Sequence, residues 1–377
     1  MLVPPNHHPI WVDRPLALER MVADLAKHPF VATDTESNSM YVYREQVCLV
    51  QFSTPETDYL VDPLALTDLS ALAPIFANPD IEKIFHAAEY DLICLKRDFG
   101  FEFNNIFDTM VAGRILGRTN LGLSAMLQDE FGIELDKRFQ RANWGRRPIP
   151  APMLEYARMD THYLIPLRDR LKATLEQEGR WPIAVEDFVR ATRQPLPPTE
   201  NGANSCWRVA GSQELTQSQA AVLKALCQYR DQQARVANLP PFKILSNRAL
   251  LQTALALPHR LEDLTTVDGL SPRNLEQHGS GLLNAVRKGL QDNPPPRPHS
   301  HHRFNDLYFI RLEALRTWRK ETGKQLGVPS DVILPRDVLE TIAQVNPATL
   351  EDLATIMHNI PWRLDHFGKN ILRVLHH

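Results

Sequence analysis

Four carboxylates in three short motifs carry the chemistry that this sequence offers. Asp34-Thr35-Glu36 ends an apolar run that begins at Phe30-Val31-Ala32. In a strand, residues two apart share a face, so Asp34 and Glu36 point one way and Thr35 the other. Two acids aimed together repel unless a cation joins them, and hard oxygen donors suit Mg²⁺ or Mn²⁺. A solvated strand end is the plain competitor for this motif taken alone. Asp91 closes Ile84-Phe85-His86-Ala87-Ala88-Glu89-Tyr90-Asp91, a strand end entering a helix. There an acid is also expected for purely structural reasons, since helix starts favour negative charge. Tyr156 and Asp160 stand four apart in Tyr156-Ala157-Arg158-Met159-Asp160, hence on one helix face. That face is shared with Met153, Ala157, Leu164, Leu167 and Leu171, so Asp160 lies on a core-facing stripe. An acid there is costly unless paired or metal-bound.

The elements that must position these groups alternate in the first half of the chain. Val47–Phe52, Tyr59–Val61 and Ile81–Phe85 join Phe30–Ala32 as short β-favouring runs. Leu92–Phe99, Thr109–Leu116 and Leu123–Phe131 have helical spacing. Closely spaced strands imply hairpins and the later helix-linked strand a crossover, which together predict a mixed sheet covered by helices. Proline-, asparagine- and glycine-rich stretches at 192–204 and 292–300 read as linkers. They divide the chain into 1–192, 205–291 and 301–377. The last two segments repeat one pattern: Leu226, Tyr229-Arg230, Pro240, Ile244-Leu245 and Leu250 return 89 residues later as Leu315, Trp318-Arg319, Pro329, Ile333-Leu334 and Leu339. Both copies are expected to be one small all-α module, with Arg230 and Arg319 as structural residues.

The totals narrow the classes. The 377 residues carry 42 Lys and Arg against 45 Asp and Glu, a net charge of −3 that argues against a protein coating nucleic acid non-specifically. Locally the balance reverses: residues 135–150 hold five basic residues against one acid. Lys137, Arg138, Arg141, Trp144, Arg146 and Arg147 combine cations with an aromatic, as a groove for backbone and bases would; a solvated loop is the competing reading. No run approaches eighteen apolar residues, and the N-terminus lacks a secretory pattern. Cys48, Cys94, Cys206 and Cys227 form no CxxC pair and read as buried thiols of a reducing compartment, so a cytoplasmic location is expected. His86 ends a buried strand and is expected to be a hydrogen-bonded core residue, with contact to a terminal nucleotide as the alternative. Asp108 is expected to cap the helix that Thr109 opens. The histidines at 299, 301 and 302 read as linker residues.

The three motifs, in this order and setting, resemble those of the DEDD exonuclease superfamily, and Tyr156 places them in its tyrosine-bearing DEDDy branch. The repeated tail is similar to HRDC domains, and the whole layout resembles the ribonuclease D family. The resemblance implies a ribonuclease H-like α/β exonuclease domain followed by two small all-α HRDC-like domains. It implies two divalent ions, Mg²⁺ or Mn²⁺. Asp34 would bridge both, Glu36 and Asp160 would complete one site, and Asp91 would anchor the second. Tyr156 would orient the attacking water, its phenol being too weak an acid to serve as a base at neutral pH. The implied reaction is 3′–5′ trimming of RNA, such as transfer-RNA precursors and small structured RNAs, releasing nucleoside 5′-monophosphates. A DNA 3′–5′ exonuclease and a non-catalytic RNA-binding protein are the alternatives. No GxxxxGK[ST] loop occurs, so neither a helicase motor nor a nucleotide cofactor is expected.

Overall fold

The computed structural model describes residues 8–197, 205–292 and 306–376. Six strands form one sheet: β1 (Ile10–Val12), β2 (Phe30–Ser37), β3 (Val47–Ser53), β4 (Asp58–Val61), β5 (Glu82–Phe85) and β6 (Ile106–Asp108), in the order β1-β4-β3-β2-β5-β6. β2, β3 and β4 pair antiparallel as successive hairpins, while β1–β4, β2–β5 and β5–β6 pair parallel. The sheet is mixed, as the spacing of the runs predicted. Every residue of β3 is buried, which is why Val-Cys-Leu-Val reads as a continuous apolar run rather than an alternating one. β1 and β6, three residues each, were not expected; runs that short carry no periodicity to read.

Eight helices among the described residues cover the sheet: α1 (Pro15–Leu25), α2 (Ala73–Ala77), α3 (Glu89–Phe99), α4 (Thr109–Ile115), α5 (Leu123–Phe131), α6 (Ala151–His162), α7 (Leu164–Gln177) and α8 (Trp181–Arg193). The stretch from Met153 to Leu171 is two helices, not one. Pro166 has no N–H to give to His162, and its ring would strike that carbonyl, so the chain breaks at Tyr163 and restarts.

The tail is helical throughout its described residues. α9 (Gln217–Ala237), α10 (Pro241–Ile244), α11 (Asn247–Ala256), α12 (Leu261–Leu264) and α13 (Pro272–Gln291) form the first module. α14 (Asp306–Leu326), α15 (Ser330–Ile333), α16 (Arg336–Val345), α17 (Leu350–Ile356) and α18 (Pro361–His376) form the second. Each helix of the second module starts 89 residues after its counterpart, from 217 to 306 through 272 to 361. The repeat extends to single bonds. Arg230 donates to the Leu245 carbonyl at 3.2 Å and Arg319 to the Leu334 carbonyl at 2.8 Å, so both arginines are structural, as expected.

Along the chain the linkers mark three segments, but in space the residues gather into two compact units. One holds the described residues of 8–196 outside 38–46, together with the second module; the other holds 38–46 and the first module. Within the first unit the second module is built in. Arg363, fully buried, donates to Glu186 at 2.7 Å, Asp187 at 2.9 Å and the Val332 carbonyl at 3.0 Å. Val332 itself belongs to the core beneath the sheet. Gly117, at φ 75°, lies so close to the Gly327 carbonyl that a Cβ would not fit. The three linker histidines at 299, 301 and 302 lie outside the described residues.

Candidate active site

β2 delivers the first two acids. Asp34 pairs across with Gln51 and Glu36 with Leu49, and a bulge follows Glu36, so the strand's regular alternation holds through both carboxylates and ends there. Thr35 between them donates its hydroxyl to Asp91, tying the first motif to the second.

Asp91 lies in the first turn of α3 and is buried. The turn before it is tight: Ala87 has φ 63°, unfavourable for any residue with a Cβ. Asp108 holds it there, accepting from the N–H groups of Ala87 (3.1 Å) and Ala88 (2.8 Å). The same carboxylate caps α4 through Met110 (2.8 Å) and Val111 (3.1 Å). The expected cap is therefore also a clamp on the turn that presents Asp91. It is a role that no motif in the sequence advertises.

α6 carries Tyr156 and Asp160 one turn apart, and the tyrosine hydroxyl donates to the Asp160 carboxylate. Beneath them a buried polar staple fixes the helix on the sheet. Ser53 donates to Asp58 at 2.6 Å and meets Thr161 at 2.7 Å, while Arg158 and His162 reach Asp58 at 3.3 and 3.0 Å. Sequence reasoning missed this group, since its members are scattered over 110 residues and none belongs to a motif.

Asp34, Glu36, Tyr156 and Asp160 face one pocket of about 350 Å³, lined also by His86, Lys137, Gln140 and the start of α5 at Gly122–Ala125. The electrostatics are those of like charges out of water. Burial raises Asp34 from its ordinary value to about 7, against the pull of a backbone hydrogen bond at Thr35. Glu36 is raised by burial and then by the charges of Asp34, Asp160 and Asp91. Burial and Asp34 likewise raise Asp91 and Asp160 well above the usual carboxylate range. Burial and the neighbouring acids push the Tyr156 phenol up, so it stays protonated as a donor.

Among the described residues no three acidic, histidine or cysteine side chains are already arranged to hold one ion. The four carboxylates are a repelling set, three lining the pocket and Asp91 behind Thr35, rather than a closed cage. Their chemistry nevertheless fits hard divalent cations: oxygen donors, an excess of negative charge, and neighbours of the same sign.

The substrate-contact residues expected from sequence separate into two groups. His86 lines the pocket while its Nδ1 meets the Thr109 hydroxyl at 2.9 Å, and burial lowers its pKa, favouring neutral imidazole. Lys137 also lines the pocket, and Arg138 lies in an adjoining cavity beside Tyr156 and Asp160, paired with Asp136 at 2.7 Å. Arg141 and Arg146 are exposed. Trp144 and Arg147 are corrections. Trp144 is 1% exposed and sits in a core cluster with its ring 6.0 Å from that of Tyr156, so no base can stack on it. Arg147 binds both oxygens of Asp62 at 2.6 and 2.7 Å and the Cys48, Trp144 and Arg146 carbonyls, which fastens the loop to the sheet. All its donor groups are directed inward.

Comparisons with known proteins accord with this geometry. A family model described as 3′-5′ exonuclease matches residues 9–176, and the HRDC domain matches 219–286 and 310–375. The exosome complex exonuclease RRP6 of Saccharomyces cerevisiae is 31% identical over 299 residues, covering 75% of this chain but only 41% of that protein. Ribonuclease D of Escherichia coli is 30% identical over 326 residues, covering 85% of this chain and 86% of that protein. The chain belongs to the ribonuclease D family. The fold of this family member agrees with the crystal structure of Escherichia coli RNase D, with a TM-score of 0.73 over 98% of this chain and 99% of the other at 24% identity. The ribonuclease H-like exonuclease domain and the two HRDC-type modules are thus those of the family, whose carboxylate-bearing nuclease domain is divalent-metal-dependent. No helix among the described residues is long and apolar enough to cross a membrane.

Proposed function

We propose that this ribonuclease D family member is a hydrolytic 3′–5′ exoribonuclease. It shortens transfer-RNA precursors and other small structured RNAs in the cytoplasm and releases nucleoside 5′-monophosphates. The observation that carries this reading is a set of four desolvated carboxylates, three of them lining one pocket and the fourth, Asp91, bonded to Thr35 of its wall, with like charges as their neighbours. Such a set is unfavourable in isolation and becomes favourable when cations enter between the acids and a phosphodiester.

Asp34, Glu36 and Asp160 would hold one divalent ion, Mg²⁺ or Mn²⁺, and Asp34 with Asp91 a second. Bound there, the ions supply a water of lowered pKa and neutralise charge that builds on the phosphate. The chain's own groups do the rest. Tyr156, fixed against Asp160, offers its hydroxyl to orient the attacking water and is too weak an acid to take its proton. Thr35 and the Asp108 clamp keep Asp91 in place for its part. Neutral His86 and Lys137 border the pocket, where a terminal nucleotide and its phosphate would lie.

The test uses a 3′-extended transfer RNA, a 5′-labelled unstructured RNA and a DNA strand of matched sequence, each with Mg²⁺, Mn²⁺ or EDTA. Stepwise shortening of RNA from the 3′ end that stops in EDTA and in Asp34→Ala is the expected result. Shortening that survives Asp34→Ala would overturn the carboxylate mechanism. Faster loss of DNA than RNA would move the activity to the DNA exonuclease class.

A further inference from the structure

Gln51 is the single carboxamide of β3, a strand in which all seven residues are buried. It is 0% exposed, and neither its Oε1 nor its Nε2 has a hydrogen-bond partner among the described residues. Amides buried in this way are uncommon, because the bonds they made to water are lost without replacement. Ser53 lies two residues on, hence on the same face, and is buried as well. Its hydroxyl, however, is bonded to Asp58 at 2.6 Å and to Thr161 at 2.7 Å. Polarity that holds α6 to the sheet is therefore paired, and the Gln51 amide does not belong to that set.

Its position identifies the group it can serve. β2 and β3 run antiparallel, and Gln51 stands directly opposite Asp34. Opposite residues of such a pair share a face, with Cβ atoms roughly 4.5–5.5 Å apart, which a glutamine side chain can span. The cross-strand neighbour on the other side is Leu60 of β4, whose side chain has no hydrogen-bonding group. Glu36 stands opposite Leu49 and has no such amide beside it. An ionised carboxylate offers about four lone pairs on its two oxygens. The Thr35 backbone N–H donates to one of those on Asp34. Two more go to the ions if Asp34 bridges them, which leaves a place for one further donor.

We infer that Gln51 is a positioning residue for Asp34, its amide donating to the carboxylate when that group is ionised and holds divalent cations. A neutral donor suits the task. A lysine at this place would substitute for the ions, and a fifth acid would add to the repulsion. A carboxamide orients Asp34 without changing the charge of the set. The inference rests on the divalent-metal reading of the four acids.

The experiment compares the full-length wild type with Gln51→Met, which keeps the length of the side chain and removes both donors. Mn²⁺ binding is measured by calorimetry without RNA at pH 8, and stability by urea unfolding in EDTA. Mn²⁺ affinity is expected to fall about 10- to 100-fold, as when other groups that orient a metal-bound carboxylate are lost. Metal-free stability is expected to equal or exceed that of wild type, since an unbonded amide gives way to an apolar group of similar shape. Unchanged Mn²⁺ affinity, whether or not the fold weakens, would make Gln51 a packing residue and overturn the proposal. In an Asp160→Asn background the same loss is expected. Its disappearance there would assign the amide to Asp160 and overturn the pairing with Asp34. If Gln51→Met does not fold, ¹⁵N-glutamine labelling answers by NMR in a Gln140→Ala chain, because Gln140 also lines the pocket. Mg²⁺ is expected to shift one side-chain NH₂ pair and to slow its exchange with solvent; with no pair that responds, the proposal falls. If wild type binds no Mn²⁺, the metal reading of the pocket itself fails. If wild type and variant bind it equally, only the role of Gln51 fails.

Discussion

Two groups of buried charge lie in the same compact unit and have opposite chemistry. Around Arg363, the guanidinium donates to Glu186, Asp187 and the Val332 carbonyl, with the Trp362 N–H donating to Glu186 at 2.5 Å as well. Burial still raises Glu186 and Asp187, but Arg363 pulls both the other way. At the catalytic site burial raises Asp34, and burial together with neighbouring acids raises Glu36, Asp91 and Asp160. The first group is a finished ion cluster that joins the second module to α8. The second is charge collected without its counter-charge, and it is stable only because something else is meant to supply it. Burial of acids by itself distinguishes nothing; the sign of their neighbours separates fastening from chemistry.

Removing one acid from each group gives the sharpest contrast. Asp34→Asn takes away one member of the metal-holding set while relieving repulsion. Its kcat on RNA is expected to fall about 10³-fold or more, since one preorganised electrostatic group at a reacting phosphate is worth that much. Its metal-free stability is expected to equal or exceed that of wild type. Urea unfolding in EDTA checks the second half, and a loss of stability as large as that of any core mutation would break the distinction.

Arg363→Met reverses the pattern. It leaves Glu186 and Asp187 buried without their cation, which costs about 3–5 kcal/mol of unfolding free energy. At a temperature where the variant is folded, turnover of a short oligonucleotide should match wild type, because Arg363 touches no part of the pocket. Urea midpoints with unchanged m-values report the first effect. A loss below about 1 kcal/mol would mean that the Arg363 cluster is not what fastens the second module to α8.

Tyr156→Phe comes next in size. The ring stays in its cluster with Trp144 and only the hydroxyl on Asp160 is lost. Positioning groups of this kind contribute about 10²-fold, so kcat should drop by that factor while Mn²⁺ affinity, measured by calorimetry without RNA, stays within a few-fold. A drop in metal affinity equal to the drop in kcat would make Tyr156 a support for Asp160 rather than for water.

What could be read from the sequence follows from which signals are local. The strands that hold the acids, the helices that carry Asp91 and Asp160 and the 89-residue repeat all announce themselves through short apolar periods and fixed spacing. Asp108 could be predicted as a cap because capping is local, but its grip on Ala87 and Ala88 spans twenty residues and was invisible. Trp144 and Arg147 show the opposite failure. Cations around an aromatic read as a groove, and only the fold reveals that Asp62 and three carbonyls claim the guanidinium while the core claims the indole. Arg363 sits on an amphipathic helix, where an arginine usually means solvent; its acidic partners lie 177 and 176 residues away. The site's acids were legible because their misfit is local; the fastenings were not, because each is complete only in three dimensions.

The smallest effect concerns pH and tests the counter-charge argument directly. In the metal-free protein Asp34 is raised from 3.8 to about 7. Between those values the folded chain holds a proton that the unfolded chain has released. A raised acid therefore stabilises the fold least at high pH, and stability of the metal-free protein falls as pH climbs through that window. A cation must displace the same proton. Mn²⁺ affinity is then expected to weaken about tenfold for each pH unit below 7, and to level off above it once the carboxylate is ionised. Saturating Mn²⁺ should in turn raise the unfolding temperature at pH 8 more than at pH 6. Calorimetric titrations from pH 5.5 to 8 with wild type and Asp34→Asn decide the matter, the variant being expected to lose affinity at pH 8 and much of the slope. A flat profile for wild type would mean that the pocket keeps Asp34 ionised without a metal, and the acids around it would then need a partner from elsewhere in the chain.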